Sequence, residues 1–227
     1  MNLQPGHHHG TTDDAAPPEI QFTQEWWDDR YRSADQLWSG QPNPQLVVQA
    51  GGLVPGDALD VGCGEGADAI WLARRGWIVT AIDISAVALE RAAAHARASG
   101  REVASRVRWQ REDLLTCAPA ADDFDLVSAQ FMHVPEPELS ALHRRLAAAV
   151  RTGGTLLLVL HHPEDIHANV GRPDLPGMFP RVEDLAARLD PGQWDVVVAD
   201  VVARAVTDLD GQPATVKDAV LRAVRLP

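Results

Sequence analysis

Apolar positions follow two different patterns along this chain. Some segments repeat their apolar residues at helical spacing, as in Leu139, Leu142 and Leu146, whereas others are short apolar runs typical of strands buried in a parallel sheet. The alternation of the two patterns predicts an α/β sandwich. The predicted strands are Ala58–Val61, Trp77–Ile82, Val103–Gln110, Phe124–Ala129, Thr155–Leu160, Trp194–Val206 and Thr215–Arg225.

The predicted helices begin and end at recognisable capping residues. Ser85 is a typical N-cap for the Ala-rich helix that runs to Ser99, and Gly100 then ends it. The turn Asp208–Gly211 separates the last two strands and predicts a terminal hairpin. We therefore predict a Rossmann-like, seven-stranded, mostly parallel sheet with helices on both faces and a C-terminal antiparallel hairpin. The other predicted helices are Glu19–Arg32, Pro44–Ala50, Gly66–Arg75, Glu136–Val150 and a helical face from Val182 to Leu189.

The length of 227 residues suits one well-packed domain. We predict a disordered leader over residues 1–18, because this segment is rich in Gly, Pro, Asp and His and lacks the apolar core of a secretory signal. Residues 19–227 are then predicted to form a single domain.

The charge and composition narrow the class of partner. The formal net charge of −12 repels phosphate backbones and argues against a nucleic-acid partner. No apolar run approaches the roughly 20 residues that span a bilayer, so we predict no membrane partner. Cys63 and Cys117 are too few for a disulfide framework, and we predict a reducing, cytoplasmic location. The oligomeric state is left open.

A glycine-rich loop, Gly62–Gly66, joins the first predicted strand to its helix. Glycines there let backbone N–H groups approach a ligand closely. Asp83 ends the next strand, where a carboxylate can accept hydrogen bonds from both ribose hydroxyls of a nucleoside. The same spacing also satisfies the relaxed dinucleotide fingerprint. Asp60 and Glu65 favour S-adenosylmethionine (SAM) over NAD, because acids at this loop oppose a pyrophosphate but attract the methionine ammonium.

A second acidic segment, Gln110–Leu114, follows the third predicted strand. A carboxylate there can accept a hydrogen bond from the exocyclic amino group of adenine, and Leu114 can pack against the ring. Judged alone, a solvated acidic loop explains this segment nearly as well.

The stretch from Trp38 to Ser85 resembles the class I SAM-dependent methyltransferases. It is similar in detail to the small-molecule branch that includes tellurite-resistance and thiopurine methyltransferase-like proteins. The motifs that carry the resemblance are Trp38–Asn43, Asp60–Gly66 and Trp77–Ser85. The general pattern covers Phe22–Pro227 and is informative about fold and cofactor, but not about the methyl acceptor.

The resemblance implies SAM as the cofactor and a small molecule as the methyl acceptor. It implies that Gly62 and Gly64 line the methionine end, and that Asp83 holds the ribose. Asp113 and Leu114 would frame the adenine. The expected cofactor site is completed by Tyr31 and Trp38 as a cover from the N-terminal side, by Asp60, Cys63 and Ile84, and by the backbone near Gln130.

The acceptor is expected beyond the C-terminal ends of the strands, near Gln130–His133 and His161–His167. Methyl transfer from a sulfonium is an in-line displacement, in which the enzyme mainly holds the reacting atoms in line. A general base helps only when the nucleophile must lose a proton.

Histidines are the candidate bases, because imidazole titrates near neutral pH. His133, His161 and His162 are the candidate base or acceptor contacts, with His167 behind them. Each can instead cap a strand or helix end through hydrogen bonds to backbone. We predict no metal site, because the histidines of segment 161–167 lack the i, i+4 spacing of a helical zinc pair.

The segment Pro163–Pro180 is long and rich in Gly and Pro, which is typical of an active-site lid. Met178 and Phe179 could line an apolar acceptor pocket, and Arg172 or Arg181 could meet an anionic group. A plain surface loop explains the segment equally well.

Two other functions compete with methyl transfer. A nicotinamide-dependent oxidoreductase would need a hydride-transfer constellation, yet Tyr31 is the only tyrosine and Lys217 the only lysine, so a Tyr-x-x-x-Lys pair is absent. A non-catalytic SAM-binding sensor or partner protein is the second alternative, and the intact glycines and both key acids weigh against it. Sulfur, nitrogen, oxygen, halide and metalloid acceptors all remain open.

Overall fold

The computed structural model describes residues 22–172, 175 and 177–227. Its helices alternate with strands through the first two thirds of the described chain. The strands are β1 (Asp57–Val61), β2 (Ile78–Asp83), β3 (Val107–Arg111), β4 (Phe124–Gln130), β5 (Val150–His161), β6 (Trp194–Thr207) and β7 (Pro213–Arg225). The helices are α1 (Gln24–Arg32), α2 (Pro44–Ala50), α3 (Ala67–Arg74), α4 (Ala86–Ala98), α5 (Arg101–Ser105), α6 (Glu138–Ala149), α7 (Val182–Ala187) and a 3-10 helix, Pro163–His167.

All seven strands belong to one sheet, in the order β3-β2-β1-β4-β5-β7-β6. The pairs β1·β2, β1·β4, β2·β3 and β4·β5 are parallel, whereas β7 runs antiparallel to both β5 and β6. The predicted fold class, including the C-terminal hairpin, is therefore confirmed. The predicted leader, residues 1–18, lies outside the described residues.

The strand order reverses direction beside β1. The chain leaves β1 toward β2 and β3 on one side, and then returns to β4 on the other side. The segments after β1 and β4 therefore diverge, and they open a crevice at the C-terminal edge of the sheet, where open α/β sheets bind ligands.

Alternation along the strands divides the core between the two faces of the sheet. Leu59 and Val61 face a cluster that includes Leu142 and Leu146 of α6. Ala58 faces a second cluster, which includes residues of α2 and α3. Because successive strand residues point to opposite faces, Asp60 shares the α2 and α3 face with Ala58.

The structure corrects two sequence predictions. The strand predicted at Val103–Gln110 begins later, because Arg101–Ser105 continues the helical layer as α5. Gly100, with φ +115°, allows the chain to turn between the two helices, and its carbonyl accepts from the N–H of Ala104. The first helix begins at Gln24 rather than Glu19, because the Thr23 side chain caps it by accepting from the N–H of Trp26.

Candidate active site

The glycine loop is held directly against Asp83. Gly62, Gly64 and Gly66 all have positive φ, a conformation in which a side chain would be strained. The N–H of Gly64 donates to Asp83 Oδ2 at 2.8 Å, and the N–H of Ser85 donates to Oδ1 at 2.8 Å. Burial raises the pKa of Asp83, and these two donors oppose that rise. The acid predicted to hold the ribose therefore also sets the shape of the loop.

Two carboxyl groups with raised pKa values lie at the two ends of this loop. Asp60 is 2% exposed, and its Oδ2 has no hydrogen-bond partner among the described residues. Burial raises the pKa of Asp60 well above its ordinary value, and the neighbouring Asp68 raises it further. Burial also raises the pKa of Asp68 to about 6, although the N–H of Asn43 donates to its Oδ1 at 2.6 Å. A bound cation would relieve the repulsion between the two carboxylates.

Tyr31 and Trp38 cover the middle of the glycine loop. The indole N–H of Trp38 donates to the Tyr31 hydroxyl at 3.0 Å. A Cβ on Gly64 would lie 2.9 Å from that hydroxyl and 3.3 Å from the Trp38 Nε1 atom. Tyr31 is buried and Trp38 is 47% exposed, so the pair forms a cover with one side open to solvent.

Glu65 attaches this cover to the loop. Its buried carboxylate accepts from the backbone N–H groups of Leu37 and Trp38, and it forms an ion pair with Arg91 at 2.9 Å. The sequence interpretation counted Glu65 as negative charge for the ligand. The structure corrects this, because Arg91 neutralises that charge. Asp60 and Asp68 are then the carboxyl groups that a bound cation would hold in their charged form.

A cleft of about 850 Å³ opens on the other side of Asp83. It lies between the start of α1 and the segments that follow β2, β3 and β4, and its volume is that of a small-molecule site, roughly 300–1,000 Å³. The predicted residues Ile84 and Asp113 line this cleft. Asp113 also closes its own turn, because its Oδ1 accepts from the N–H of Leu115 at 2.9 Å.

Leu114, predicted to pack against the adenine, lies in the core, and its neighbour Leu115 faces the cleft instead. Leu114 is 4% exposed and packs in the cluster around α6, while Leu115 lines the cleft. The guanidinium of Arg145 donates to the Leu114 carbonyl at 2.8 and 3.1 Å, which fixes the segment.

Two further predicted cofactor residues flank the glycine loop. Cys63 is buried within it, and its N–H donates to the Ile82 carbonyl at 3.0 Å. Gln130 ends β4, where its amide donates to the Ser128 hydroxyl at 2.8 Å and its Oε1 has no partner among the described residues. Met132, just beyond, lies 3.2 Å from where a Cβ on Gly62 would be.

Aromatic rings and charged groups meet beyond β4 and β5. We call this the His161 cluster and define it as Phe131, His133, His161, Phe179, Arg172, Arg204 and Asp218. The imidazoles of His133 and His161 are stacked, with centroids 4.4 Å apart, and the ring of Phe131 lies 4.4 Å from that of His161. Phe179 packs edge-on against His133 at 5.0 Å.

The three candidate histidines differ in what their ring nitrogens do. His133 Nε2 accepts from the N–H of His161 at 3.0 Å, and burial lowers the pKa of His133 to about 3. His162 Nδ1 accepts from the N–H of Glu164 at 3.3 Å and so caps the 3-10 helix. His161 Nδ1 is buried without a partner among the described residues, 3.8 Å from Asp218 Oδ1. The side chain of His167 lies outside the described part of the chain.

The segment after β5 lies against this cluster. Met178 and Phe179 of this segment are buried. Arg172 forms an ion pair with Asp165 at 3.7 Å, and burial lowers the pKa of Arg172 to about 10. Pro173 and Pro176 of the predicted lid lie outside the described residues. Within the part of the chain that the structure describes, no group of three or more His, Cys, Asp or Glu is arranged to hold a metal.

Comparison with known proteins assigns the part of the chain that contains the glycine loop to a protein family. Residues 58–154 match the family model described as a methyltransferase domain. This part of the chain is a class I SAM-dependent methyltransferase domain. The predicted family and its cofactor, SAM, are thereby confirmed.

The similar proteins extend the likeness over most of the fold. An uncharacterized methyltransferase of Mycobacterium tuberculosis is 37% identical over 129 residues, which are 55% of this chain and 61% of that protein. TehB from Haemophilus influenzae has a TM-score of 0.65 at 16% identity, covering 90% of this chain and 67% of the other. The structure described as "Conversion of a Disulfide Bond into a Thioacetal Group during Echinomycin Biosynthesis" has a TM-score of 0.69 at 23% identity, covering 89% and 91%. The chain spans about three fifths of the length of the first curated relatives that it matches.

Sequence reasoning missed two acids that the structure places beside the candidate site residues. Asp68 follows the glycine loop in the first turn of α3. Asp218 lies within β7 and is 1% exposed. An acid inside a strand pattern is costly to bury without a role, and that pattern was visible in the sequence.

Proposed function

We propose that this chain transfers the methyl group of SAM to a small-molecule nucleophile by in-line displacement. The observation that carries the proposal is the pair of carboxyl groups at the ends of the glycine loop. Asp60 is buried and Asp68 is half-buried, both have raised pKa values, and Asp60 Oδ2 has no partner among the described residues. Such a pair suits a ligand with a positive charge and opposes a pyrophosphate.

The other residues of the site have matching roles. When bound, SAM supplies a methyl group activated by the positive charge of its sulfonium. Asp60 and Asp68 attract the methionine ammonium, and Asp83 accepts from the ribose hydroxyls while it holds Gly64. Tyr31 and Trp38 cover the loop and keep water from the methionine end.

A small-molecule acceptor fits the charge and the size of the site. The net charge of −12 is unfavourable for a polyanionic substrate. The described residues form one continuous sheet with no further unit to dock a macromolecule, in keeping with one domain over residues 19–227. No helix in the described ranges is long and apolar enough to cross a bilayer. Cys63 and Cys117 are free thiols, which supports a cytoplasmic location.

Calorimetry tests the cofactor half of the proposal. We expect SAM and S-adenosylhomocysteine (SAH) to bind with micromolar affinity and NADH not to bind. Asp83→Ala should abolish SAH binding, since Gly64 loses its acceptor and the ribose loses its ligand. Asp195→Ala, on the exposed side of β6, is the matched control and should bind as the unmodified protein does. Binding of NADH in place of SAH would refute the methyltransferase assignment.

Turnover with labelled SAM tests the catalytic half. Thiols, phenols, amines, halides and metalloid oxyanions are offered as acceptors, and methylated product is counted. Product formation that Asp83→Ala abolishes would support the proposal. Tight SAH binding with no product from any acceptor class would favour the non-catalytic SAM-binding protein.

A further inference from the structure

One histidine in the His161 cluster is arranged differently from its neighbours. The rings of His133 and His162 each accept a hydrogen bond from a backbone N–H, at 3.0 and 3.3 Å. A ring nitrogen that accepts such a bond has no lone pair left to take a proton from a substrate. The Nδ1 of His161 faces a carboxylate instead, which is the arrangement that orients an imidazole for base catalysis.

The carboxylate is Asp218, and its position is fixed from two sides. Asp218 pairs with His161 across the β5·β7 ladder, so the two side chains lie on the same face of the sheet. The Nε of Arg204 donates to Asp218 Oδ2 at 2.7 Å, which leaves Oδ1 toward His161 without a partner among the described residues. Asp218 is 1% exposed, and burial raises its pKa, while the guanidinium groups of Arg204 and Arg172 oppose that rise and favour the carboxylate.

We infer that His161, oriented by Asp218, is the general base that removes the proton from a hydroxyl-bearing methyl acceptor, an alcohol or a phenol. This inference rests on the proposed methyltransferase function. In it, His161 is the catalytic residue and Asp218 the positioning residue.

The geometry needs only a small adjustment. The Nδ1–Oδ1 distance of 3.8 Å exceeds the usual limit of about 3.2 Å for an N–H···O bond. Catalytic hydrogen bonds are commonly long without substrate and shorten when it binds. Once Nδ1–H donates to Asp218, the proton of the neutral ring is held at Nδ1 and the lone pair lies at Nε2.

His161 lies at the edge of the sheet where open α/β folds bind ligands. His161 ends β5, and β5 is separated from β1 and its glycine loop only by β4. Two strand spacings correspond to about 10 Å, which leaves room for the methyl donor and the acceptor between loop and base. Gln130 ends the intervening strand β4, and the Sδ atom of Met132 would lie 3.2 Å from a Cβ added to Gly62.

The proposed step balances in protons and electrons. The acceptor O–H gives its proton to His161 Nε2, the oxygen forms a bond to the methyl carbon, and the electron pair of the S–CH3 bond returns to sulfur. The products are a methyl ether, SAH and an imidazolium, which Asp218 stabilises until the proton leaves to solvent. Thiols, halides and neutral amines do not need such a base, because each attacks as an anion or through a free lone pair.

Other charged groups also face His161. Arg204 on β6 and Arg172 after the 3-10 helix are positive, and Arg172 is itself paired with Asp165. His133 stacks on the ring and remains neutral at physiological pH. The two guanidinium groups are thus balanced by Asp165 and Asp218, and removal of Asp218 would leave His161 beside uncompensated positive charge.

Nitrogen-15 NMR of the histidine rings, in the full chain saturated with SAH, tests the pair without knowledge of the acceptor. The His161 resonances are assigned by their loss in His161→Gln. We expect the Nδ1–H tautomer, and we expect Asp218→Asn to lower the pKa of His161 by about 1 pH unit or more. Asp165→Asn, which removes a buried carboxylate that is paired with Arg172 and with the N–H of Lys217, should leave the tautomer unchanged. An Nε2–H tautomer of His161, with a pKa that Asp218→Asn does not change, would overturn the inference.

Methyl transfer gives the second readout, with catechol and 4-nitrophenol as probes. At about pH 8, where 4-nitrophenol is mostly ionised and catechol is not, His161→Gln should lower the turnover of catechol about 100-fold or more, and that of 4-nitrophenol far less. Asp218→Asn should move the acidic limb of the kcat/KM profile for catechol to lower pH. Equal losses for both phenols, or turnover of thiols or halides alone, would overturn the assigned acceptor class. Unchanged SAH affinity in both variants separates these outcomes from failure of the proposed function.

Discussion

Replacement of Gly66 by alanine should destabilise the fold for two separable reasons. Gly66 has φ +86°, and a left-handed conformation costs a residue with a Cβ about 1–2 kcal/mol. The new Cβ would also lie 2.7 Å from Trp109 Cη2 and 2.9 Å from the Ala92 Cβ. Relief of such overpacking typically costs about 1–3 kcal/mol more. We therefore expect Gly66→Ala to lower the free energy of unfolding by about 2–5 kcal/mol, measured by urea denaturation.

Two other glycines separate the backbone cost from the packing cost. Gly153 has a similar φ of +79° but open space around its Cβ position, so Gly153→Ala should show the backbone cost alone, about 1–2 kcal/mol. Gly52 has neither a left-handed φ nor a contact within 4 Å, and Gly52→Ala should be nearly neutral or slightly stabilising. If Gly66→Ala and Gly153→Ala destabilise equally, the packing of Trp109 on the loop is not what requires a glycine at position 66.

The remaining predictions concern the cofactor site. Asp60→Asn should weaken SAH binding about 10- to 100-fold in calorimetry, the effect of losing one charge-assisted contact, whereas Asp57→Asn at the opposite end of β1 should bind SAH normally. The affinity for SAH should rise from about pH 5 to about pH 7, with release of protons on binding. The reason is that the pKa of Asp68 is raised to about 6 and only its ionised form attracts the ammonium. An SAH affinity that does not change with pH would contradict the role of Asp68 in binding the ammonium. Glu65→Gln should lower the free energy of unfolding by about 2–3 kcal/mol, measured in urea, because Arg91 loses its ion pair. It should also weaken SAH binding, because the backbone N–H groups of Leu37 and Trp38 lose a charged acceptor. An unchanged SAH affinity would show that the cover formed by Tyr31 and Trp38 does not contribute to binding.

Local patterns in the sequence determined most of the fold. The apolar runs and capping residues predicted all seven strands, the glycine loop and the C-terminal hairpin, because each depends on residues within a few positions of one another. The error at Val103–Gln110 has a local cause as well, since a short apolar segment after Gly100 fits a helix and a strand equally well. Asp60 and Asp83 were found from their place at strand ends, where the topology brings the ends of neighbouring parallel strands together.

Only the tertiary structure decided which groups act on one another across the sheet. The sequence presented His133, His161 and His162 as equivalent, and their roles differ because of partners far along the chain: His161 donates its backbone N–H to His133, while its ring faces Asp218. The charge of Glu65 was likewise cancelled by Arg91, a residue on another helix. Burial and pairing depend on contacts between distant segments, and those contacts set the charge and the free lone pairs of a site. The sequence by itself therefore determined the fold and the cofactor. The packing of β4, β5 and β7 decided which histidine rings accept from backbone N–H groups and which one faces a carboxylate.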